Sequence, residues 1–474
     1  MEALHVRTNT REQITLDEEA VRQLRSSLRG ELLTPCDPGY DEARKVWNGM
    51  IDKHPALIAR CAGAADVLAA VHFAREHDVL VSVRGGGHNV AGRALCDEGL
   101  VIDLSPMRAV RVDPVQRTVQ AQGGATLGDL DHETQPFGLA VPVGLVTATG
   151  IAGLTLHGGM GWLTRKYGLT LDNLLSVDIV TADGQLRKAS EEEHADLFWA
   201  LRGGGGNFGV VTAFEFRAYP VGPQVWFLAP MYPFARAREV LRFVREFMAD
   251  APEDLGILAT LWNAPNETFV RPEYRAAPVV MVLGCYSGPF EKGERIIRPL
   301  RQIGEPVGDL SGPRSFLDVQ KFFDEDYPNG MLYYWKSIYL EHLGDEVIDA
   351  VVHHAAGRPS PLTSLDIWFL EGAINRIPAN RTAYARRDVK YALALESNWT
   401  DPEQANTNIA WTREVFEDLQ RFARGTYLNF PGFMEDADKL LQGAYDANYG
   451  RLRTIKAKYD PDNVFRGALN IVPA

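Results

Sequence analysis

Val81–Gly92 reads VSVRGGGHNVAG. The run Val-Ser-Val reads as a strand that passes directly into three consecutive glycines, followed by a histidine and an asparagine. Consecutive glycines are costly to order on folding, so something must approach the backbone closely here. Two more glycine-rich stretches follow, GIAGLTLHGGMG at 150–161 and RGGGGNFG at 202–209. Such loops let backbone N–H groups converge around an anion. A lone loop of this kind is weak evidence, because many are plain turns. Three of them, each beside an expected strand or helix end, are better explained by one large phosphate-bearing ligand. None is a P-loop, since no GxxxxGK[ST] occurs. None fits the Rossmann fingerprint either, because GGGHNV lacks the third spaced glycine and the acidic ribose partner. The expected ligand is a nucleotide cofactor held by a different fold. His88 then has two readings. It fills the loop and bonds to backbone, or a ring nitrogen faces the cofactor, where a neutral imidazole is a competent nucleophile.

Around this loop the texture is α/β. ALIARC, VLVSVRG, GLVIDL and RTVQAQGGA read as strands, and AADVLAAVHFAREHD as a helix with apolar residues at i, i+3 and i+4. LGDLDHETQPFG reads as a helix ended by Pro136 and Gly138. LLSVDIVTADGQLRKAS carries an Asp183-Gly184 turn between alternating runs and reads as a hairpin. EEEHADLFWALRG reads as a capped helix, and FGVVTAFEFRAYP as a strand. Beyond about residue 220, helices such as ARAREVLRFVREFMADA alternate with strands such as APVVMVLGCY and SLDIWFLEGAI, which is an α+β texture. YGRLRTIKAKYDPDNVF closes the chain as an amphipathic helix and a turn.

Composition narrows the function classes. The 474 residues are 46% hydrophobic and 23% charged, an ordinary globular balance and too long for one core. A net charge of −13 disfavours nucleic acid and anionic membrane as partners. Cys36, Cys61, Cys96 and Cys285 form no CxxC pair and no disulfide framework. The segment MEALHVRTNTREQ lacks the apolar core of a signal peptide, and no run reaches the length of a membrane span. A soluble cytoplasmic protein is expected, and the sequons at Asn266, Asn380 and Asn398 read as chance matches. No GxSxG, HExxH or EF-hand pattern occurs. His353 and His354, adjacent on an expected helix, diverge and make a poor metal pair, so no metal is expected.

VSVRGGGHN, GLVIDLSPM, GGATLGDLD, GIAGLTLHGGMGWLTRKYGLTLDNL, ADLFWALRGGGGNFGVVT and IKAKYDPDNVF together resemble the FAD-linked oxidases of the berberine bridge enzyme-like group, in the vanillyl-alcohol oxidase and p-cresol methylhydroxylase superfamily. The resemblance covers about residues 50–220 and 425–474 and is looser between them. It implies an α+β fold: a two-part FAD-binding domain (51–220, completed by 425–474) and a substrate domain (221–424) built on an antiparallel sheet covered by helices. Residues 1–50 remain as an N-terminal arm with one helix.

The resemblance implies that His88 carries a covalent bond to the flavin. It also implies FAD contacts from Arg84, Gly85, Gly86, Gly87, Asn89, Val146, Thr149, Gly150, Gly153, Leu154, Gly158, Gly159, Gly161, Trp162, Asp172, Asn173, Gly209, Val210, Val211 and Asn429. Many members carry a second link through a cysteine in G-x-C-P-T-x-G. The matching stretch here is Gly144-Leu145-Val146-Thr147-Ala148-Thr149-Gly150, and the valine implies a single link. Plant members can place a tyrosine base after a glycine triplet. Here the triplet is His157-Gly158-Gly159 and Met160 follows, which takes no proton. The family's Y-x-N-Y reads Tyr427-Leu428-Asn429-Phe430. Tyr427 is therefore the candidate base or substrate-orienting hydroxyl, against a packing role with a wet tip. His157 is a candidate polar group above the flavin or a satisfied loop residue. Arg386 stands where related bacterial sequences often have histidine. Glu371, Asn375 and Arg376, on a strand-like segment, line the pocket or form salt bridges.

The implied activity is hydride removal from a CH–OH or CH–NH carbon of a small organic substrate, with oxygen as acceptor. A dehydrogenase using another acceptor, and a flavin-carrying binding protein without turnover, remain alternatives. The oligomeric state is left open.

Overall fold

The computed structural model describes residues 4–433, 437–466 and 469–474. Two sheets flank the first glycine loop. In one, Leu57–Arg60, Leu100–Asp103 and Val81–Arg84 run parallel, with Glu31–Leu33 added antiparallel at the edge. The parallel strands are mostly apolar and buried, as strands covered on both faces tend to be. The helix Ala64–Glu76 lays Val67, Ala70 and Val71 into a core that also holds Leu57, Ile102, Val180 and Val210. The second sheet is antiparallel, in the order Leu186–Ser190, Leu174–Val180, Val210–Arg217, Thr118–Gln122, Val110–Asp113. The expected hairpin forms between Leu174–Val180 and Leu186–Ser190.

Residues 1–50 differ from a simple arm. Leu4–Arg7 and Gln13–Leu16 form a hairpin, and Glu18–Ser27 is the expected helix, N-capped by Asp17. Glu31–Leu33 then joins the parallel strands through main-chain pairing. The helix read from EEEHADLFWALRG is shorter and uncapped. It spans Ala195–Leu201, and His194 precedes it at φ 47° with no side-chain cap. Glu191 is drawn instead into a salt bridge with Arg381 at 2.6 Å.

Residues 224–399 build a large mixed-order antiparallel sheet that includes Leu255–Asn263, Pro278–Tyr286, Leu332–Leu340, Ser364–Phe369 and Tyr391–Trp399. Alternation along these strands separates two faces. Ile257, Ile367, Leu393 and Ile338 face one way and pack against the helices Ala237–Ala249, Asp345–Ala356 and Ala405–Leu419, through Val240, Val244, Ile348, Val351 and Val415. Burying each such side chain contributes about 1.5–3 kcal/mol. The other face presents Leu258, Asp366, Trp368, Glu396 and Trp335 toward the glycine loops.

The C-terminal helix Tyr449–Tyr459 returns to the glycine-loop side of the molecule. Its Lys456 is fully buried: Nζ pairs with Asp460 Oδ2 at 2.5 Å and donates to the carbonyls of Asn207 (2.6 Å) and Phe465 (2.9 Å). That cluster pins the chain end to the loop at 202–209. Among the described residues no helix is long and apolar enough to cross a membrane.

Candidate active site

One cavity runs from the glycine loops to the inner face of the large sheet. At its first end Val81–Arg84 delivers Gly85, Gly86, Gly87 and His88 into the wall. Gly86 and Gly150 touch through their backbones. A Cβ on Gly86 would stand 2.5 Å from the Gly150 Cα, so no side chain fits at this crossing. The two glycine loops thereby form one continuous cradle of main chain. Asn89, Val146, Thr149, Gly150, Gly153, Leu154, Gly209 and Val211 also line the cavity, as do His157, Tyr427 and Asn429.

The loop at 144–149 is fixed from the substrate side. Gln320 Nε2 donates to the Gly144 carbonyl at 3.2 Å and to Asp131 Oδ2 at 3.0 Å. Burial pushes the Asp131 carboxyl up to about 7. Thr147 N–H and Oγ1–H both donate to Asp324, at 2.8 and 2.5 Å.

His88 is half-buried in the cavity wall, and burial depresses its imidazole to about 3, so the ring is neutral near pH 7. Its Nε2 is buried without a hydrogen-bond partner, an unusual and costly state for a ring nitrogen. Trp47 stacks on the ring at 4.0 Å and on Tyr333 at 3.6 Å, and its Nε1–H donates to the Tyr327 carbonyl at 3.0 Å. The imidazole plane is therefore locked, with one nitrogen left without a protein partner.

The remaining residues expected at the cofactor lie outside the cavity lining and have other partners. Arg84 reaches the Ala43 carbonyl and lies 3.9 Å from Asp103. Gly158 and Gly159 accept main-chain hydrogen bonds from Leu171 and Thr170 at 3.0 Å each. Gly161 N–H donates to Thr164 Oγ1 at 2.9 Å. Trp162 packs against Phe323 and Trp368. Asp172 is ion-paired with Arg387 at 2.7 Å, both side chains 3% exposed. Asn173 bonds the carbonyls of Tyr167 and Leu169. Val210 faces the core beneath its strand. These residues shape the wall from behind.

Tyr427 reaches the cavity but is poorly suited to act as a base. Its phenol oxygen accepts hydrogen bonds from Gly159 N–H at 2.9 Å and from Asn429 Nδ2 at 2.8 Å. Burial raises its hydroxyl above the ordinary tyrosine range, opposite to what proton removal at pH 7 requires. The geometry makes it a pin that holds the 157–161 loop and Asn429 together. His157 donates Nδ1–H to the Gly153 carbonyl at 3.2 Å, and burial depresses it to about 4. Its Nε2 end abuts Gly205, where a Cβ would stand 2.3 Å away and where φ is +71°. Glu371, Asn375 and Arg376 do not line the cavity. The strand ends at Phe369, and Ala373–Arg376 is a short helix. Glu371 pairs with Lys390, Arg376 with Glu253, and Asn375 caps the Arg387 and Val389 carbonyls. Arg386 bonds the Gly443 carbonyl through Nε at 3.0 Å.

Several residues that the motif reading passed over do line the cavity. Arg93 is one: burial depresses its guanidinium to about 10, and among the described residues no carboxylate pairs with it. At the sheet end stand Asp366 and Glu396 among Trp335, Trp368, Phe323 and Phe430. Burial raises both carboxyls above the ordinary range, and the neighbouring Asp366 raises Glu396 further. Tyr327 O–H donates to Glu396 Oε2 at 2.7 Å. Among the described residues no group of ligands could hold a metal ion.

A glycine cradle, a histidine nitrogen and an arginine that find no protein partner among the described residues fit a dinucleotide cofactor. The comparisons agree. Residues 55–190 match the FAD binding domain family, and residues 426–472 match the berberine and berberine-like family. An uncharacterized FAD-linked oxidoreductase of Bacillus subtilis is 31% identical, over 95% of this chain and 98% of its own. (R)-6-hydroxynicotine oxidase of Paenarthrobacter nicotinovorans is 32% identical, over 94% and 97%. The crystal structure of 6-hydroxy-D-nicotine oxidase from Arthrobacter nicotinovorans superposes with a TM-score of 0.84 at 30% identity, covering 94% of this chain and 99% of that one. The fold and site are those of a flavoprotein oxidoreductase. The chain belongs to the berberine bridge enzyme-like family of FAD-linked oxidoreductases.

Proposed function

We propose that this enzyme carries FAD through a single covalent bond to His88 and oxidises a CH–OH or CH–NH carbon of a small organic substrate, with oxygen as the final electron acceptor. The observation that carries the reading is the His88 imidazole, neutral, stacked on Trp47, with a buried nitrogen that has no partner. A neutral nitrogen lone pair is what a covalent link to a flavin methyl carbon requires. The single link is supported by Val146 in the cavity wall and by the absence of Cys36, Cys61, Cys96 and Cys285 from the lining residues. The same four free thiols support a reducing compartment such as the cytoplasm.

The Gly85–Gly87, Gly150–Gly153 and Gly209 main chain would hold the cofactor, with Arg93 offering its charge to the anionic portion. In the domain division we propose, residues 51–220 and 425–474 hold FAD and residues 221–424 face the substrate. Bound FAD supplies the two-electron hydride acceptor. The chain's own part is to exclude water, orient the substrate against the aromatic wall, and accept the proton from its heteroatom. The Asp366–Glu396 pair takes that last role, because both carboxyls line the cavity and their raised affinity for protons suits a base near neutral pH. Stopped-flow mixing with a substrate panel under anaerobic conditions tests this. Wild type is expected to bleach with at least one substrate and to recover its colour in air. Glu396→Gln is expected to bleach at least about 10²-fold more slowly. Equal rates in the two proteins would refute the assignment of the base.

A further inference from the structure

We propose that the inner end of the cavity is built for a protonated aromatic amine, its ammonium group held by Asp366 and Glu396 and its ring by Trp335, Trp368 and Phe430. This rests on the reading of the cavity as the oxidation site and names the substrate class that the site selects.

Strand register sets the geometry. Trp335 is directly opposite Glu396, and Asp366 is directly opposite both Ala394 and Thr260. Asp366 and Glu396 are thus diagonal neighbours on one face of adjacent strands, close enough for their side chains to interact across the sheet. The positions beside them on the same face are Ala392 and Ala394, so small side chains leave a hollow in front of the carboxyls. Asp366 is 5% exposed, and the protein offers it only the facing hydroxyls of Thr260 and Ser364, neither of which makes a well-formed hydrogen bond to its Oδ1. Trp368 Nε1 is likewise buried without a partner. Tyr327 donates to one Glu396 oxygen, leaving the other oxygen for a ligand.

The groups that face the pair are Tyr327, Thr260, Ser364, Trp335 and Trp368, and among the described residues no cation lowers either carboxyl. Two carboxyls this close in an apolar setting share a proton rather than both ionise. The pair therefore carries about one uncompensated negative charge near neutral pH, and burying such a charge is expensive. A ligand that brings a positive charge repays that cost. An alcohol or a sugar ring brings hydroxyls that donate and accept hydrogen bonds but carry no positive charge, and it leaves the charge uncompensated. The aromatic wall favours the same ligand, because indole faces attract cations, and Leu258 and Phe323 offer a sugar no polar partners. From the bound ammonium, one N–H proton passes to the ionised carboxylate only as oxidation begins. The carboxyl becomes neutral, and the amine regains the lone pair that its oxidation needs.

Matched probes test the inference on the flavin-loaded enzyme. Benzylamine against benzyl alcohol, and 2-phenylethylamine against 2-phenylethanol, are titrated without air at pH 7, reading tryptophan fluorescence at equilibrium. Each amine is expected to bind at least about tenfold more tightly than its alcohol. That preference is expected to vanish in Asp366→Asn and in Glu396→Gln, each checked for retained flavin. Alcohols that bind as tightly as amines, amines that do not bind at all, or an amine preference that survives both substitutions would overturn the proposal. If the alcohols win and also bleach the flavin, the oxidase reading stands and only the amine inference falls. If no probe or panel substrate bleaches the flavin, the oxidase reading falls while the binding preference is still measured.

Discussion

Asp172 carries a family motif position, yet its carboxylate faces Arg387 rather than the cavity. The pair is bidentate, Nη1 to Oδ2 at 2.8 Å and Nη2 to Oδ1 at 2.7 Å, and Arg387 also donates to Thr382 Oγ1 at 3.0 Å. Asp172 in turn accepts from Leu169 N–H at 2.9 Å, which closes the turn whose Thr170 and Leu171 N–H groups hold Gly159 and Gly158. The pair therefore supports the loop that Tyr427 pins from the other side. Replacing Arg387 with methionine leaves Asp172 buried without its counter-charge, a change that costs about 3–5 kcal/mol. Unfolding entropy of about 2.1 cal/mol/K per residue over 474 residues comes to about 1 kcal/mol/K, so Tm should fall by about 3–5 °C. The double variant Arg387→Met, Asp172→Asn removes both charges and should recover at least half of that loss. Differential scanning calorimetry on flavin-loaded protein measures all three. If Asp172→Asn alone leaves Tm unchanged but releases FAD, the carboxylate is a cofactor contact after all. A double variant no better than Arg387→Met would also refute the ion-pair account.

Tyr427→Phe should slow anaerobic flavin reduction by less than about tenfold, because a base contributes about 10²–10⁴-fold and this phenol is not one. It should also destabilise the protein by about 1–3 kcal/mol, since it strands the Gly159 N–H, as read in a thermal melt. The Asp366 and Glu396 carboxyls bind protons more tightly folded than unfolded, so their contribution to stability is present in acid and is lost as pH rises through their folded range. Wild type without substrate should therefore lose Tm from the unfolded carboxyl range, about pH 4, upward more steeply than Glu396→Gln does, and parallel Tm–pH curves would count against the buried pair. Trp47→Ala frees the His88 ring and should lower the fraction of protein with covalently retained flavin, measured by acid precipitation and absorbance of the pellet.

The cofactor side was largely legible in the sequence because its signals are local. Three glycine loops beside apolar strands, and a histidine directly after one of them, are contiguous residues, and the hairpin at 174–190 is announced by its Asp-Gly turn. The substrate side was not legible, because its site is made by register. Asp366 and Glu396 are thirty residues apart in the chain and meet only when Ser364–Phe369 pairs with Tyr391–Trp399. The signal was present as a single acid at an alternate position in each of SLDIWF and YALALESNW, a pattern that a fully buried strand otherwise avoids. Trp47 lay in a segment read as an arm, and only the folded chain brings it onto His88. Arg93 follows the histidine by five residues and passed unnoticed because a lone arginine after a loop usually points to solvent. Motif positions such as Asp172 and Trp162 misled for the opposite reason: a motif marks what the cofactor loop needs, which includes the residues that brace it from behind.

The central claim is the bond to His88. Trypsin cutting after Arg84 and Arg93 releases the peptide Gly85–Arg93, GGGHNVAGR, with His88 at its centre. Mass spectrometry of the digested, denatured protein is predicted to find that peptide heavier by one FAD, fluorescent in acid, and to find flavin on no other peptide. The His88→Ala protein should yield only FAD released on denaturation. Flavin on a peptide containing Cys36, Cys61, Cys96 or Cys285, or wild-type FAD that washes free on denaturation, would contradict the account.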